Sequence, residues 1–313
     1  MTLSDAVRLV CWNLEWCPLP SGRSKRGRVA QRVITEQMPD VACLTESRLD
    51  WLDGWDGAIV SSEPLDTAHH MHRHDGRKVV LWSRSGWRDV DPVGSEDIRD
   101  LRRFVAATTD TPFGPVRFVG VVIPYRNSNV NHGPRAVWED HRRYLISLAK
   151  ILNSTALPTV VVGDFNQRHP FDPSYIVPED LHAELTKALH GLRIETAGIV
   201  AGIDGRLIDH VAITPELEAA NVTAWPAMQA NVTVSDHPGF RVDVKARPVV
   251  DETHWPARAR QTSDDVTRPT KTEVVEGSAS RLCDFSAVDL PAALSRTVAP
   301  IRCYPISGSC SIT

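Results

Sequence analysis

The sequence is poor in the features that mark secreted, membrane-spanning and disulfide-rich proteins. Only six cysteines occur in 313 residues, and Cys11 and Cys43 fall within apolar runs, as small core residues do. No run approaches the roughly 18 apolar residues that a membrane span needs. The segment from Met1 to Arg8 lacks the basic and apolar regions of a secretory signal. These absences favour a cytoplasmic protein that has no membrane partner.

The chain also lacks a large excess of charge of either sign. Its net charge of −4 argues against a broadly basic surface for nucleic acid, although a local basic patch would still serve. The 42% of apolar residues are enough for the core of one large domain or two small ones. Oligomeric state leaves no signal in the sequence.

A change in composition divides the chain near residue 245. Residues 246–313 are rich in Pro, Thr, Ser and Arg and show no sustained periodicity. We therefore expect a folded domain at residues 1–245, followed by a disordered or loosely packed tail. The alternative is a tail segment that packs against the domain, for which Leu290 to Leu294 is the candidate.

Apolar periodicity predicts a domain that mixes strands and helices. Strands are expected at Arg8 to Trp12, Val41 to Leu44, Thr159 to Val162, Val232 to Val234 and Phe240 to Val244, among others. Helices are expected at Val29 to Met38, Trp138 to Asn153 and Pro178 to Leu189.

Polar side chains recur where these strands would end. The residues are Asn13, Glu46, Asp164 with Asn166, Asp209, and Asp236 with His237. In most cases an apolar run leads into or surrounds the polar residue, as a buried strand does when it delivers a side chain to the rim of a sheet. Mg²⁺ takes one or two carboxylates and keeps water and phosphate oxygens as its other ligands. The pattern therefore predicts a metal-assisted phosphate-cleaving site.

The order of these strings resembles the endonuclease/exonuclease/phosphatase superfamily, which includes DNase I and the exonuclease III type of abasic-site nuclease. The similarity covers roughly residues 7–245, and its specific parts are Gly163-Asp-Phe-Asn166 and Ser235-Asp-His237. It implies a DNase I-like α/β (α+β) fold, a four-layered α/β/β/α sandwich of two mainly antiparallel sheets. The site would lie where strand-end loops converge.

The resemblance also implies roles for the polar residues. Asp164 would activate the attacking water, and Asn166 would bind the phosphate. Glu46, with Asn13 and Asp236 nearby, would hold Mg²⁺ or Mn²⁺.

The last expected feature of the site is a histidine that pairs with an acid. His237 has a plausible partner in Asp209, because a carboxylate fixes the imidazole tautomer and stabilises its charged form. His210 would point to the opposite face of the strand from Asp209, which favours a core position.

The segment from Val121 to Asn127 departs from a common pattern of the superfamily. Many members have a Thr-His-Leu string here, whereas this chain has Ile-Pro-Tyr-Arg. A tyrosine occupies roughly this place in the exonuclease III type, so Tyr125 would contact the phosphate and Arg126 would neutralise it. The alternative is an exposed turn.

Two further clusters have open interpretations. The basic residues Arg23, Lys25, Arg26, Arg28 and Arg32 either bind a polyanion or form a solvated helix face. The histidines His69, His70, His72 and His74 either bind a transition metal or belong to a polar loop.

These observations favour a metal-dependent hydrolase of phosphate esters. A nuclease that cleaves DNA or RNA is the first expectation. A phosphatase or phosphodiesterase for a small molecule or lipid is the alternative, because fold does not settle substrate. A non-catalytic binding module is the third class, and the intact set of polar residues argues against it.

Overall fold

The computed structural model describes residues 5–21, 23–65, 76–94, 101–128 and 134–248. These residues lie within one compact unit that ends at Pro248. The expected tail lies outside the described residues from residue 249 onward, as does the cluster from His69 to His74, so both expectations stay predictions. Within the described ranges, no helix combines the length and the apolar character needed to cross a membrane.

Fourteen strands and three α-helices make up the described part of the chain. In chain order they are β1 (Val7–Asn13), α1 (Lys25–Glu36), β2 (Val41–Arg48), β3 (Ala58–Ser61), β4 (Gly76–Ser83), β5 (Arg88–Asp91), β6 (Phe104–Thr111), β7 (Gly114–Val122), α2 (Glu139–Asn153), β8 (Thr159–Asp164), α3 (Glu179–Ala188), β9 (Arg193–Ile194), β10 (Asp209–Ile213), β11 (Leu217–Trp225), β12 (Met228–Gln229), β13 (Val232–Thr233) and β14 (Gly239–Ala246). Two short 3₁₀ helices, Leu49–Leu52 and Leu101–Arg103, join strands.

The strands form two six-stranded sheets of similar design. The first has the order β11-β14-β1-β2-β4-β3, and the second has the order β5-β6-β7-β8-β10-β9. Each sheet contains one parallel pair, β1 with β2 and β7 with β8, and its other pairs are antiparallel. A helix links each parallel pair, α1 in the first sheet and α2 in the second, as a parallel connection requires.

Three clusters of buried apolar side chains hold the layers of sheets and helices together. Side chains such as Leu81 and Val162 fill the space between the two sheets. Val33 and Ile34 of α1 cover the outer face of the first sheet, whereas α2 and α3 cover the second, with Leu148 at the contact. The result is the predicted four-layered α/β/β/α sandwich of two mainly antiparallel sheets, which is thereby confirmed.

Two parts of the strand prediction need correction. The segment Val232 to Val234 does not join either large sheet; β13 pairs only with β12 in a two-stranded ribbon. The strand β11 was not expected from the sequence; it lies at the edge of the first sheet, and only its two end residues, Leu217 and Trp225, are buried. Its mixed polarity therefore hides the apolar alternation that identifies a half-buried strand.

Candidate active site

The predicted acids, amides and histidine converge at one edge of the sandwich. Asn13 ends β1, Asp164 ends β8 and Asp209 begins β10. The antiparallel ladder places Asp209 directly opposite Asp164. Asn13 Nδ2 lies 3.4 Å from Asp164 Oδ2, which connects the two sheets. The strand ends thus bring together residues that are more than 150 positions apart in the chain.

Asp209 and His237 form a short ion pair. His237 Nδ1 is 2.5 Å from Asp209 Oδ2, and the Asp209 side chain is fully buried. The main chain of His237 is also fixed, because its carbonyl accepts a hydrogen bond from Trp12 Nε1 at 2.8 Å. Only 13% of the His237 side chain is exposed, and its Nε2 faces Asp236 Oδ1 at 3.7 Å.

The surroundings of His237 favour its charged form. Burial lowers the pKa of the imidazole, but the charge and hydrogen bond of Asp209, together with the charges of Asp164 and Asp236, raise the pKa to about 10. The ring is therefore an imidazolium at neutral pH. It can donate a proton or a hydrogen bond from Nε2, but it offers no lone pair to a metal.

Asp164 is held by the residues that follow it. The backbone N–H of Asn166 donates to Asp164 Oδ1 at 2.8 Å, and Asn166 Nδ2 donates to Oδ2 at 3.0 Å. Asn166 Nδ2 also donates to the carbonyl of Ile123 at 2.8 Å. Asn166 adopts φ 54°, a left-handed conformation that asparagine tolerates better than most residues.

The Asp164 carboxyl is easier to protonate than an ordinary aspartate. Burial is the largest cause, and the nearby negative charges of Asp209 and Glu46 add to it. His237 and the hydrogen bond from Asn166 oppose the change, and the net effect raises the pKa of Asp164 to about 7. A carboxyl with this pKa can accept a proton from water near neutral pH.

The position before Asp164 has no room for a side chain, which explains the glycine there. Gly163 has φ +139°, and a Cβ atom there would lie 2.0 Å from the carbonyl oxygen of Val121 on the neighbouring strand. Any side chain would therefore push β7 and β8 apart. This explains why the string that ends β8 contains Gly-Asp.

Glu46 lies near Asp164, since its negative charge helps to raise the pKa of that carboxyl. It has φ 47°, and its carbonyl accepts a hydrogen bond from Trp16 N at 2.8 Å. Its Oε1 is 2.7 Å from Lys78 Nζ. A non-glycine residue in this conformation is strained, and such residues often occur at functional sites.

The other two expected metal ligands differ in burial. Asn13 is buried, and its Oδ1 accepts a hydrogen bond from Glu15 N at 2.9 Å. Asp236 has 63% of its side chain exposed. Both lie beside the described cluster, and their role as ligands stays a proposal.

The residues present fit a divalent cation. Ligand atoms of Asp164, Asp209 and His237 lie within 4.8 Å of one another. The imidazolium of His237 is unsuited to that role, so the carboxylates and the nearby Glu46 are the better candidates. Asp209 Oδ1 is buried and accepts no hydrogen bond from the described protein atoms. Such an acceptor is costly unless a donor or cation compensates it.

Tyr125 and Arg126 lie outside the buried cluster. Both are exposed in the turn after β7, and half of the Tyr125 surface is accessible. The turn begins close to the site, because Ile123 accepts the hydrogen bond from Asn166. The expected phosphate contacts of Tyr125 and Arg126 stay predictions.

The basic cluster near α1 is partly engaged in structure. Arg26 Nε donates to the carbonyl of Val234 at 2.5 Å, and its Nη2 donates to the carbonyl of Leu14 at 3.1 Å. Arg26 also pairs with Glu15. It thus braces two loops that carry site residues, and it is not available as a simple anion-binding side chain.

Sequence reasoning missed Ser235. Its Oγ donates to the carbonyl of Asn13 at 2.6 Å and accepts from the N–H of His237 at 3.1 Å. The hydroxyl therefore ties the loop of His237 to the end of β1. Its position in Ser-Asp-His was the available signal, but only the acid and the histidine suggested chemistry.

A pair of buried histidines supports the loop after Asn166. His141 Nδ1 lies 2.6 Å from the carbonyl of Pro124, and its Nε2 lies 2.7 Å from Gln167 Nε2. His210 Nε2 lies 2.9 Å from the carbonyl of Gln167. Both rings are fully buried, and His210 has the core position expected for it. Gln167 was not identified from the sequence.

The profile of the Endonuclease/Exonuclease/phosphatase family matches residues 10–237. No match was found among curated protein sequences.

Solved structures with the same fold include the following three proteins. A 3′ phosphatase from Neisseria, bound to a product DNA hairpin, has 20% identity and a TM-score of 0.54, with 76% of this chain and 98% of that chain covered. An AP endonuclease from Archaeoglobus fulgidus has 18% identity and a TM-score of 0.53, with coverage of 75% and 98%. The human Nocturnin catalytic domain with a bound sulfate anion has 15% identity and a TM-score of 0.53, with coverage of 79% and 97%. At these identities the similarity shows the fold alone.

Proposed function

Because the chain belongs to the endonuclease/exonuclease/phosphatase family, we propose that it is a divalent-metal-dependent hydrolase of phosphodiester bonds in nucleic acid. The observation that carries the proposal is the contact of His237 with buried Asp209, directly opposite Asp164 in the β8–β10 ladder. This arrangement supplies a proton donor and a proton acceptor side by side. Hydrolysis of a phosphate ester needs both.

The roles of proton acceptor and proton donor are assigned from the charge states of Asp164 and His237. Asp164, with its pKa near 7, accepts a proton from the attacking water and orients it. His237 is an imidazolium, so its Nε2–H stabilises charge on the phosphate, and Asp209 keeps the ring charged and oriented. Asn166 is the proposed phosphate ligand, and its Nδ2 contacts Asp164 Oδ2 and the carbonyl of Ile123, which keeps the amide beside the proposed proton acceptor.

The proposed metal site consists of Glu46 and two residues near it. Glu46 is the proposed principal ligand for Mg²⁺ or Mn²⁺, with Asn13 and Asp236 beside it. A bound divalent cation would polarise the phosphate and offset its charge. Tyr125 and Arg126, which are exposed after β7, are proposed substrate contacts on the open side.

The choice of substrate depends on the relatives of the same fold and on the charge of the protein surface. Proteins of the same fold include a 3′ phosphatase bound to DNA and an AP endonuclease. However, the net charge is −4, and Arg26 and Arg32 are paired with acids. The pairing of these two arginines favours the second candidate, a phosphatase or phosphodiesterase for a small-molecule or lipid phosphate.

A substrate screen distinguishes these candidates. Purified protein with Mg²⁺ or Mn²⁺ would be tested on abasic, double-stranded and single-stranded DNA, on RNA, and on phosphomonoester and lipid phosphate substrates. Asp164→Asn is the matched control for contaminating activity. Cleavage of nucleic acid by the wild type alone supports the first proposal. Activity confined to small or lipid phosphates would overturn it in favour of the second.

A further inference from the structure

Lys78 stands directly across from the proposed metal ligand. In the antiparallel pair of β2 and β4, Thr45 is opposite Val79 and Ser47 is opposite Arg77. Glu46 and Lys78 are therefore facing positions on neighbouring strands. Lys78 Nζ donates to Glu46 Oε1 at 2.7 Å. The positions on either side of this pair are in register, which brings Glu46 and Lys78 close to each other.

The pair is also shielded from solvent. The exposed fractions of the Lys78 and Glu46 side chains are 15% and 23%. Lys78 Nζ lies 5.2 Å from the centroid of the Trp16 ring, a favourable position for a cation. Water and salt screen such a pair less than an exposed one. The attraction between the two charges is therefore substantial.

The position of this cation affects metal binding in two ways. Glu46 Oε1, which would coordinate a metal, already accepts a hydrogen bond from Lys78. A cation that arrives at Glu46 must also approach a fixed positive charge. Both effects weaken metal binding relative to a free carboxylate. In return, the ammonium neutralises Glu46 within a cluster that also contains Asp164 and Asp209.

We propose that Lys78 is a built-in counter-ion of Glu46, which releases the carboxylate when a divalent metal binds and thereby sets the affinity of the site for that metal. The inference rests on the proposed function, because it takes Glu46 as a metal ligand. Once released, the Lys78 ammonium remains beside the site, where it can pair with a phosphate oxygen of the substrate. Lys78 is thus a positioning residue in the metal-free protein.

The affinity test replaces the charge and keeps a hydrogen-bond donor. Binding of Mn²⁺ and Mg²⁺ to the wild type, Lys78→Gln, Lys78→Arg and Glu46→Gln would be measured by isothermal titration calorimetry. Lys78→Gln should bind the metal more tightly, by about tenfold or more, because a unit positive charge at contact distance from the proposed ligand is removed. Lys78→Arg should stay close to the wild type.

A matched control exists at the far end of the same sheet. Lys245 Nζ lies 3.0 Å from Glu218 Oε1, and the two residues face each other across β11 and β14. Their neighbour Val244 is opposite Val7, at the start of β1 and away from Asn13. Lys245→Gln removes the same charge from the same kind of pair, and it should leave the metal affinity unchanged.

A second measurement uses the wild type alone and does not depend on the folding of a variant. Lysine acylation followed by peptide mass spectrometry would be performed with and without saturating Mn²⁺. Lys78 should react faster in the presence of the metal, because its ammonium has left Glu46, whereas Lys245 should react at the same rate in both conditions.

The outcomes separate this inference from the proposed function. Metal binding that is weaker in Glu46→Gln but has the wild-type affinity in Lys78→Gln would overturn the role of Lys78 alone, as would a Lys78 acylation rate that does not change with metal. A wild type that binds no divalent metal, or a Glu46→Gln variant that binds it with the wild-type affinity, would overturn the proposed metal site and the role of Lys78 with it.

Discussion

His237 Nδ1 contacts Asp209 Oδ2 at 2.5 Å, and Asp209 is completely buried. The histidine reaches this acid from a loop 28 residues further along the chain. Because the pair is short and shielded, the acid has no solvent to replace the imidazole, and the imidazole has no other strong partner on that nitrogen. The pair should therefore act as one unit.

Because His237 and Asp209 act as one unit, the effects of substituting them should not be additive. His237→Ala should lower kcat by several orders of magnitude, because it removes the proton donor at the phosphate. Adding Asp209→Ala should cost little more, since groups that act together lose their effect together. The measurement is kcat for both single variants and the double variant on one substrate, with thermal melting as the folding control. Losses that multiply in well-folded proteins would show that the two residues act independently.

The raised pKa of Asp164 should make the stability of the folded protein depend on pH. Its pKa is raised to about 7, above its value in the unfolded chain. The folded state therefore binds the proton more strongly, and this stabilisation is lost as the pH rises through about 7. Between pH 6 and pH 8 the loss is about 1 kcal/mol for the metal-free protein.

The test for Asp164 compares pH profiles, so that any steric cost of the substitution cancels. Asp164→Asn should lose turnover by about a hundredfold or more. Its melting temperature should fall less than that of the metal-free wild type between pH 6 and pH 8. Parallel melting profiles for the two proteins would contradict the raised pKa.

Ser235 is expected to support catalysis through other residues. Ser235→Ala removes the hydrogen bonds from Oγ to the carbonyl of Asn13 and from the N–H of His237 to Oγ. Loss of such a supporting contact typically costs about tenfold or more in activity. We expect the loss in kcat, with little change in KM. Ser83→Ala is the matched control, since Ser83 is also buried but pairs with Val41 at the opposite end of β2. Equal activity of both variants would remove Ser235 from the site.

The buried imidazole of His141 should make the folded protein less stable in acid. Burial lowers its pKa to about 4, and the neighbouring charge of Arg142 adds to this, while the hydrogen bond to Pro124 opposes it. The unfolded chain thus binds a proton that the folded protein excludes between about pH 6.5 and pH 4, and stability falls as the pH falls through this window. One such histidine removes about 2 kcal/mol between pH 7 and pH 5.

Chemical denaturation at pH 7 and pH 5 would measure this effect. His141→Gln should show a smaller loss of unfolding free energy on acidification than the wild type, because glutamine does not titrate. His190→Gln, at an exposed histidine, is the control and should behave like the wild type. An unchanged loss in His141→Gln would show that another group causes the acid sensitivity.

The sequence allowed the fold and much of the candidate site to be predicted, for a physical reason. Asp164 and Asp209 are flanked by apolar runs, and a buried strand that ends in an acid is visible from local pattern alone. Lys78 and Ser235 were missed because their importance comes from contacts made after folding. Ser235 meets Asn13 across 222 positions, and Lys78 meets Glu46 through strand register. The edge strand β11 was missed because only its two end residues are buried, so its sequence carries no clear apolar alternation.

The most direct test of the proposed chemistry is the rate of phosphoester cleavage as a function of divalent metal. With the best substrate from the screen, the wild type should lose turnover in excess chelator and recover it when Mg²⁺ or Mn²⁺ is restored. Glu46→Gln, folded by its melting curve, should need a higher metal concentration to reach half of its maximal rate. Turnover that persists unchanged in excess chelator, or a metal dependence that is identical in Glu46→Gln, would contradict a metal-assisted hydrolysis at this site.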